Sequence, residues 1–384
     1  MVTLRDLPVE LWRPILASLV RSPGVLSSDR QDPFSEVRDI VIFLNRDVKT
    51  HSALLLVCKV WHNVVIELIH EHLHLTSAEQ VAIIANRFEE SRRHSIKHPL
   101  GTCTRRIDFQ LSNPSDQCLN ALVRILRCTP NIEILVNSNY YMALNPTFHI
   151  TPPQAQTRTE IINALLETCS SSLRRIEWTS NEYPSWSDLM HVLQTATGIT
   201  SLTLANIYGN LTERPSHYLT LPNLKTLVLG DSPSFSHASL GNVPLNAFLT
   251  MLAKSPEQLP SLQRLEGFSP FSPDFLRTHG PKRIGIFPIS EDPVGVPQAI
   301  FSAYIMKPLE DLLCQIDESQ LPKLTQVRIR NIGTLANITE HPLFLQRWWK
   351  RWDSRGVRFD DKDGRPFNLV SSESDSVHDN VRRP

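Results

Sequence analysis

Between residues 107 and 329 the chain repeats one short pattern, apolar-x-x-apolar-x-apolar. Full copies stand at Leu173/Ile176/Trp178, Ile199/Leu202/Leu204, Leu224/Leu227/Leu229 and Leu324/Val327/Ile329. Shorter copies stand at Ile107/Phe109, Ile132/Leu135, Leu262/Leu265 and Ile284/Ile286. The period of two at the end of each copy predicts a strand with one face in a core. Three copies share a lead-in, Leu221-Pro222-Asn223-Leu224, Leu259-Pro260-Ser261-Leu262 and Leu321-Pro322-Lys323-Leu324. Segments with the three-to-four spacing of helices lie between them, at 119–128, 160–169, 186–195, 245–254 and 299–314. Clear copies recur about every 25 residues, and wider gaps imply insertions or weak copies. A unit of one strand and one helix cannot bury its apolar face alone, so neighbouring units must stack, with their strands in a parallel sheet. The predicted class is therefore α/β, with a compact α/β domain as the other architecture that fits.

The two ends read differently. Leu11, Trp12, Ile15, Leu16 and Leu19 mark one face of a helix that starts near Asp6-Leu7-Pro8 and ends at Ser22-Pro23-Gly24. Ile40 to Leu44 predicts a short helix within an insertion, and a long apolar face runs from Ala53 to Ile69. Near the other end, Phe344, Trp348, Trp349 and Trp352 precede Gly356-Val357-Arg358-Phe359. That pattern predicts an amphipathic helix and a last edge strand capping the body. The Ser/Asp-rich stretch 371–384 is expected to be disordered.

Leu7-Pro8-x-Glu10-Leu11, Ile15-Leu16 and Leu55-Leu56-Val57-Cys58-Lys59-x-Trp61 resemble an F-box, the helical module that docks on a Skp-family adaptor of cullin-based ubiquitin ligases. The continuation Val65-x-x-Leu68-Ile69-x-Glu71-x-Leu73-x-Leu75 is similar to the way fungal F-boxes lead into a first repeat strand. The body resembles irregular leucine-rich repeats. Together these imply an F-box-like module over 1–75 with an insertion at about 21–48, and an irregular leucine-rich-repeat solenoid with a C-terminal cap over 76–370. The resemblance implies that Leu7, Pro8, Leu11, Ile15, Leu16, Leu54 and Val57 face the adaptor, and through it a cullin ligase, while Trp61 braces the helices. On such a solenoid the residues between the apolar strand positions line a concave face. These are Arg106, Asp108, Arg175, Glu177, Thr203, Thr226, Val228, Arg264, Glu266, Phe268, Phe287, Arg328 and Arg330, the expected contacts of a protein substrate. The implied function is that of a non-catalytic substrate adaptor without a cofactor. A repeat scaffold unconnected with ubiquitin is the alternative.

Composition narrows the partners. Lys+Arg and Asp+Glu each number 39, so the chain carries no global field toward nucleic acid or anionic membrane. Acidic Asp6 and Glu10 and the lack of a long apolar run argue against a signal peptide, and a cytoplasmic or nuclear protein is expected. Six cysteines without a CxxC pair form no zinc framework and are expected to be reduced.

Some chemistry remains to be weighed. His70-Glu71-His72-Leu73-His74 satisfies HExxH, which on a helix pairs two imidazoles for zinc with glutamate as general base. Here it spans an expected helix-to-strand transition, so a zinc hydrolase is a remote alternative. His94 and His98 beside Arg92, Arg93 and Lys97 have the spacing to grip a metal or phosphate, but a solvated helix face or loop is the reading that the pattern favours. Gly230-Asp231-Ser232-Pro233 lacks the closing glycine of a nucleophile elbow.

Overall fold

A computed structural model of the chain describes residues 8–21, 24–28, 50–94, 99–111, 114–138, 155–179, 182–208, 218–230, 243–267, 273–286, 307–329 and 341–360. The expected helix at 40–44, the segment 299–306 and the tail beyond 360 lie outside these residues.

The fold is α/β. Its strands are β1 (His72–Leu75), β2 (Arg106–Phe109), β3 (Ile134–Ser138), β4 (Ala155–Gln156), β5 (Arg175–Thr179), β6 (Glu182–Tyr183), β7 (Ser201–Leu204), β8 (Thr226–Leu229), β9 (Arg264–Gly267), β10 (Arg283–Ile286), β11 (Gln326–Ile329) and β12 (Arg358–Asp360). Strands β4 and β6 pair with each other, and the other ten form one all-parallel sheet in which spatial order follows chain order. Each crossover therefore moves the chain one strand along, always in the same direction. The apolar repeat positions sit on these strands as the period of two predicts.

Register is uniform. Leu73, Ile107, Leu135, Ile176, Leu202, Leu227, Leu265, Ile284, Val327 and Phe359 occupy one row across the whole sheet, all of them buried. The ladder extends one residue below each strand. The carbonyl of Glu71 accepts from the N–H groups of Arg105 and Arg106, that of Arg105 from Glu133 and Ile134, and that of Glu133 from Arg174 and Arg175. The same pairing recurs at Arg174, Thr200, Lys225, Gln263 and Lys282. Side chains at the turns tie successive units in the same way: Asn131 Nδ2 donates to the Thr102 carbonyl, Ser172 Oγ to Ile132, Asn223 Nδ2 to Thr197 and Ser261 Oγ to Pro222.

Among the described residues the helices that flank the strands include α1 (Val9–Val20), α2 (Lys59–His70), α3 (Ala78–His94), α4 (Asp116–Cys128), α5 (Thr159–Cys169), α6 (Trp186–Thr195), α7 (Val243–Leu252), α8 (Pro273–His279), α9 (Lys307–Glu318) and α10 (His341–Asp353). Ser115 caps α4 by accepting from Cys118 N–H, and Ser185 caps α6 by accepting from Asp188 N–H. A continuous core runs under the sheet from Leu73 on β1 to Phe359 on β12. Trp348 and Trp352 of α10 close its far end, with Trp352 5.3 Å from the Phe359 ring, edge to face.

A second, separate core joins α1 to α2 through Trp12, Leu16, Ala17, Val20, Val64, Val65 and Leu68. The long face expected from Ala53 to Ile69 is broken. Helical backbone at 50–55 stops, and α2 starts afresh with Cys58 extended as its N-cap, its thiol accepting from Trp61 N–H. Helices α3 and α8, absent from the sequence expectation, complete the layer.

Gly101 marks a close backbone approach between units. A Cβ built there would lie 2.2 Å from the Cys128 carbonyl oxygen and 3.2 Å from the Phe88 ring. The obstacle is backbone, so Gly101→Ala is expected to lose roughly 1–3 kcal/mol of stability in urea denaturation. At Gly198 the obstacle is the flexible end of the Arg174 side chain, and Gly198→Ala should cost much less.

Candidate docking surface and sheet face

Two surfaces bear on function, one on the N-terminal helix pair and one on the sheet. Helix α1 begins with Pro8 in the N-cap position, and its apolar residues divide between two faces. Trp12 and Leu16 face α2; Leu11, Ile15 and Leu19 face outward, with Leu11 53% exposed. In the turn that precedes α2, Leu56 (86%) and Val57 (57%) are also exposed, as is Val60 on α2. Pro8 is exposed. Of the residues expected on a docking face, Leu16 departs from the pattern: it is fully enclosed, because the three-to-four spacing that aligns it with Trp12 turns it inward. Leu54 packs partly against the same core, and Leu7 lies outside the described residues. Trp61 meets Trp12 with ring centroids 5.0 Å apart.

The helix pair is fastened to the sheet at Glu71. Its carboxylate, almost fully buried, accepts 2.6 Å hydrogen bonds from Nε and Nη2 of Arg21 while its main-chain carbonyl begins the strand ladder. Arg13 bridges Glu67 at 2.7 Å and approaches Glu71 at 3.7 Å. Below β2 and β3, Arg105 forms a bidentate pair with Glu133. Arg13, Glu67, Glu71, Arg105 and Glu133, with Thr102, Cys103, Asn131 and Ser172, line an open cleft of about 690 Å³ between module and sheet. Burial and the adjacent Glu67 push the Cys103 thiol above its ordinary pKa, which keeps it protonated.

The HExxH segment does not place its imidazoles together on a helix. His70 is the last residue of α2, with Nδ1 2.7 Å from the Ile66 carbonyl, and His74 stands on β1. Among the described residues no group of three His, Cys, Asp or Glu side chains could hold a metal ion. His94 closes α3, and His98 lies outside the described residues. None of the helices among the described residues is long and apolar enough to cross a membrane.

On the sheet face away from the core, register collects the expected substrate contacts into two rows. The first contains His72, Arg106, Ile134, Arg175, Ser201, Thr226, Arg264, Arg283, Gln326 and Arg358; the second contains His74, Asp108, Val136, Glu177, Thr203, Val228, Glu266, Gly285, Arg328 and Asp360. These residues were expected to meet solvent. Instead Arg106, Asp108, Arg175, Glu177, Thr203, Thr226, Val228, Arg264, Glu266 and Arg328 are all buried. Phe268, Phe287 and Arg330 lie outside the described residues.

The rows are held by ion pairs between residues two apart on one strand. Arg106 Nε lies 2.7 Å from Asp108 Oδ1, Arg264 Nε 2.7 Å from Glu266 Oε1, and Arg358 binds Asp360 through Nε and Nη2, each at 2.6 Å. Arg175 Nε donates to Glu177 at 2.6 Å. Such a charge is retained in a buried place only with its partner beside it. Burial alone would raise Asp108, but the Arg106 charge and the His72 contact at 2.9 Å outweigh it and hold the carboxyl well below the usual carboxylate range. The signal for these pairs stands in the sequence as a recurring triplet, Arg-apolar-acid, at Arg106-Ile107-Asp108, Arg175-Ile176-Glu177, Arg264-Leu265-Glu266 and Arg358-Phe359-Asp360.

A comparison with protein-family models and with curated proteins matches this chain to no family and no relative.

Two outcomes follow from the buried charges. Arg175→Met strands the Glu177 carboxylate and should cost about 3–5 kcal/mol, whereas Arg175→Met with Glu177→Leu should recover much of that loss in urea titrations. Desolvation holds His70, His74 and His279 below the ordinary histidine pKa. The folded chain then binds fewer protons than the unfolded one, so stability is full above about pH 6.5 and falls as the pH drops below it. The urea midpoint should decrease between pH 7.5 and 5.5, and His279→Gln should flatten that slope.

Proposed function

We propose that this chain is a substrate-recognition adaptor of a Skp/cullin/F-box-type ubiquitin ligase, with an F-box-like helix pair at one end and a leucine-rich-repeat solenoid as its body. The observation that carries the reading is the exposed apolar strip Leu11, Ile15 and Leu19, with Leu56, Val57 and Val60 on the same helix pair. A small two-helix unit with a filled core has no internal use for that many exposed aliphatic side chains, and burial in a partner is the usual outcome. The sequential, all-parallel strand order supports the solenoid, since repeats that stack only on their neighbours place their strands in that order. The mechanism is proximity. Docking at one end and cargo held on the body raise the local concentration of cargo near a conjugating enzyme carried by other subunits.

A Skp-family adaptor should be captured from solution by the full-length chain. Leu11→Asp with Val57→Asp should weaken that capture by about tenfold or more, the scale of losing central apolar contacts. Both side chains are exposed, so the melting curve should stay unchanged. Equal capture by wild type and the double variant would sink the docking reading and leave a repeat scaffold in its place.

A further inference from the structure

We infer that residues 24–28 occupy a peptide-binding stretch of the sheet face, and that the ligand class of this stretch is a polypeptide turn bound through its main-chain carbonyls around one small apolar side chain. Arg106 and Arg175 belong to the same register row and are separated by one strand, β3, so their Cα atoms lie about 10 Å apart. Both side chains are buried, and each is neutralised on its own strand by Asp108 or Glu177. Nε and Nη2 of Arg106 serve Asp108, which leaves Nη1 to donate to the Val25 carbonyl at 2.7 Å. Nε of Arg175 likewise serves Glu177, and its Nη1 donates to the Ser27 carbonyl at 3.2 Å. The two carbonyls are two residues apart, so alternate peptide units of a crossing segment are read by two buried cations.

The recognition is almost free of side-chain information. Val25 is buried, while Leu26, Ser27 and Ser28 are only partly covered and Gly24 is exposed. The segment is closed by a turn, with Ser27 N–H donating to the Gly24 carbonyl at 3.0 Å and Gly24 at φ +75°. Main-chain carbonyls and a valine-sized side chain can be supplied by many peptides that form such a turn. The chain's own segment has the advantage of being tethered three residues beyond Arg21, so it occupies the stretch at a high effective concentration. Arg106, Arg175 and the enclosed Val25 side chain hold it there, and ties of this kind open locally without global unfolding. An incoming polypeptide would bind by taking its place. This inference deepens the proposal that the sheet face holds cargo, but its test involves no adaptor.

The test uses the full-length chain and a fluorescein-labelled synthetic peptide of residues 21–30 as probe, read by anisotropy. Val25→Asp places a carboxylate where the valine is buried and should displace the tethered segment. The peptide is expected to bind this variant at least about tenfold more tightly than wild type, whose stretch is occupied. Adding Arg106→Lys and Arg175→Lys keeps both cations beside their acids but removes the guanidinium donors, and should abolish the gain. A second variant, with 24–28 replaced by Gly and Ser at equal length, should behave like Val25→Asp, and covers the case in which that variant fails to fold. Equal peptide binding by wild type and the folded displaced variants, no binding by either, or binding indifferent to the Arg→Lys changes would overturn the inference. Adaptor capture should be unchanged in all of these variants, so failure here and failure of the docking reading are separately visible.

Discussion

Because each strand of the ten-stranded sheet hydrogen-bonds only to the members of that sheet next before and after it in the chain, any position within the repeat is copied across the sheet as a row. A row must then be chemically consistent along its whole length. The row from Leu73 to Phe359 is aliphatic or aromatic throughout, since every member adds to the same core. The opposite face obeys the same constraint with charge: where the first row brings arginine into a buried place, at Arg106, Arg175 and Arg264, an acid stands two residues on. The turns below the strands follow suit, with Asn131, Ser172, Asn223 and Ser261 each reaching back to a carbonyl of the preceding unit. Register links all three layers, so a slip of one strand would misplace core, ion pairs and turns together.

This redundancy explains what could be read from the chain beforehand. Strand positions were legible because the repeat prints them many times, and α6 matches its expected span of 186–195. Helix α3 was not, because its apolar residues Val81, Ala85 and Phe88 are sparse among charged ones and precede the first clear repeat copy. The outward direction of Arg106 or Glu177 followed from strand alternation, but their burial did not. Alternation says which face a side chain takes, and nothing about what lies over that face. The covering contacts are long-range, such as Arg175 to Ser27, and leave no local pattern. On α1 the period of 3.6 separates Leu11 and Ile15 from Trp12 and Leu16, but which of these two faces packs is decided by the position of α2.

The helix pair and the sheet are joined by more than the covalent chain. Glu71 receives Arg21 from α1 through its side chain and the next strand through its carbonyl, so one residue fixes the helical module against the sheet. In the proposed adaptor this stiffness would set the separation between a docked ligase core and a bound cargo, which proximity catalysis requires to be reproducible. The exposed aliphatic strip and the charged cleft then lie on a single rigid frame.

The first strand of the sheet, His72–Leu75, follows α2 after a single residue. A boundary drawn at residue 75 therefore divides the polypeptide where the architecture has no seam. Removing the helical module at that point strips β1 as well, uncovers the row at Ile107 and Phe109, and leaves β2 as a raw edge able to pair with other chains. The N-terminal helices and the sheet keep separate cores, yet Glu71 is the one residue between them, so one end could be exchanged only by rebuilding the strand that follows it.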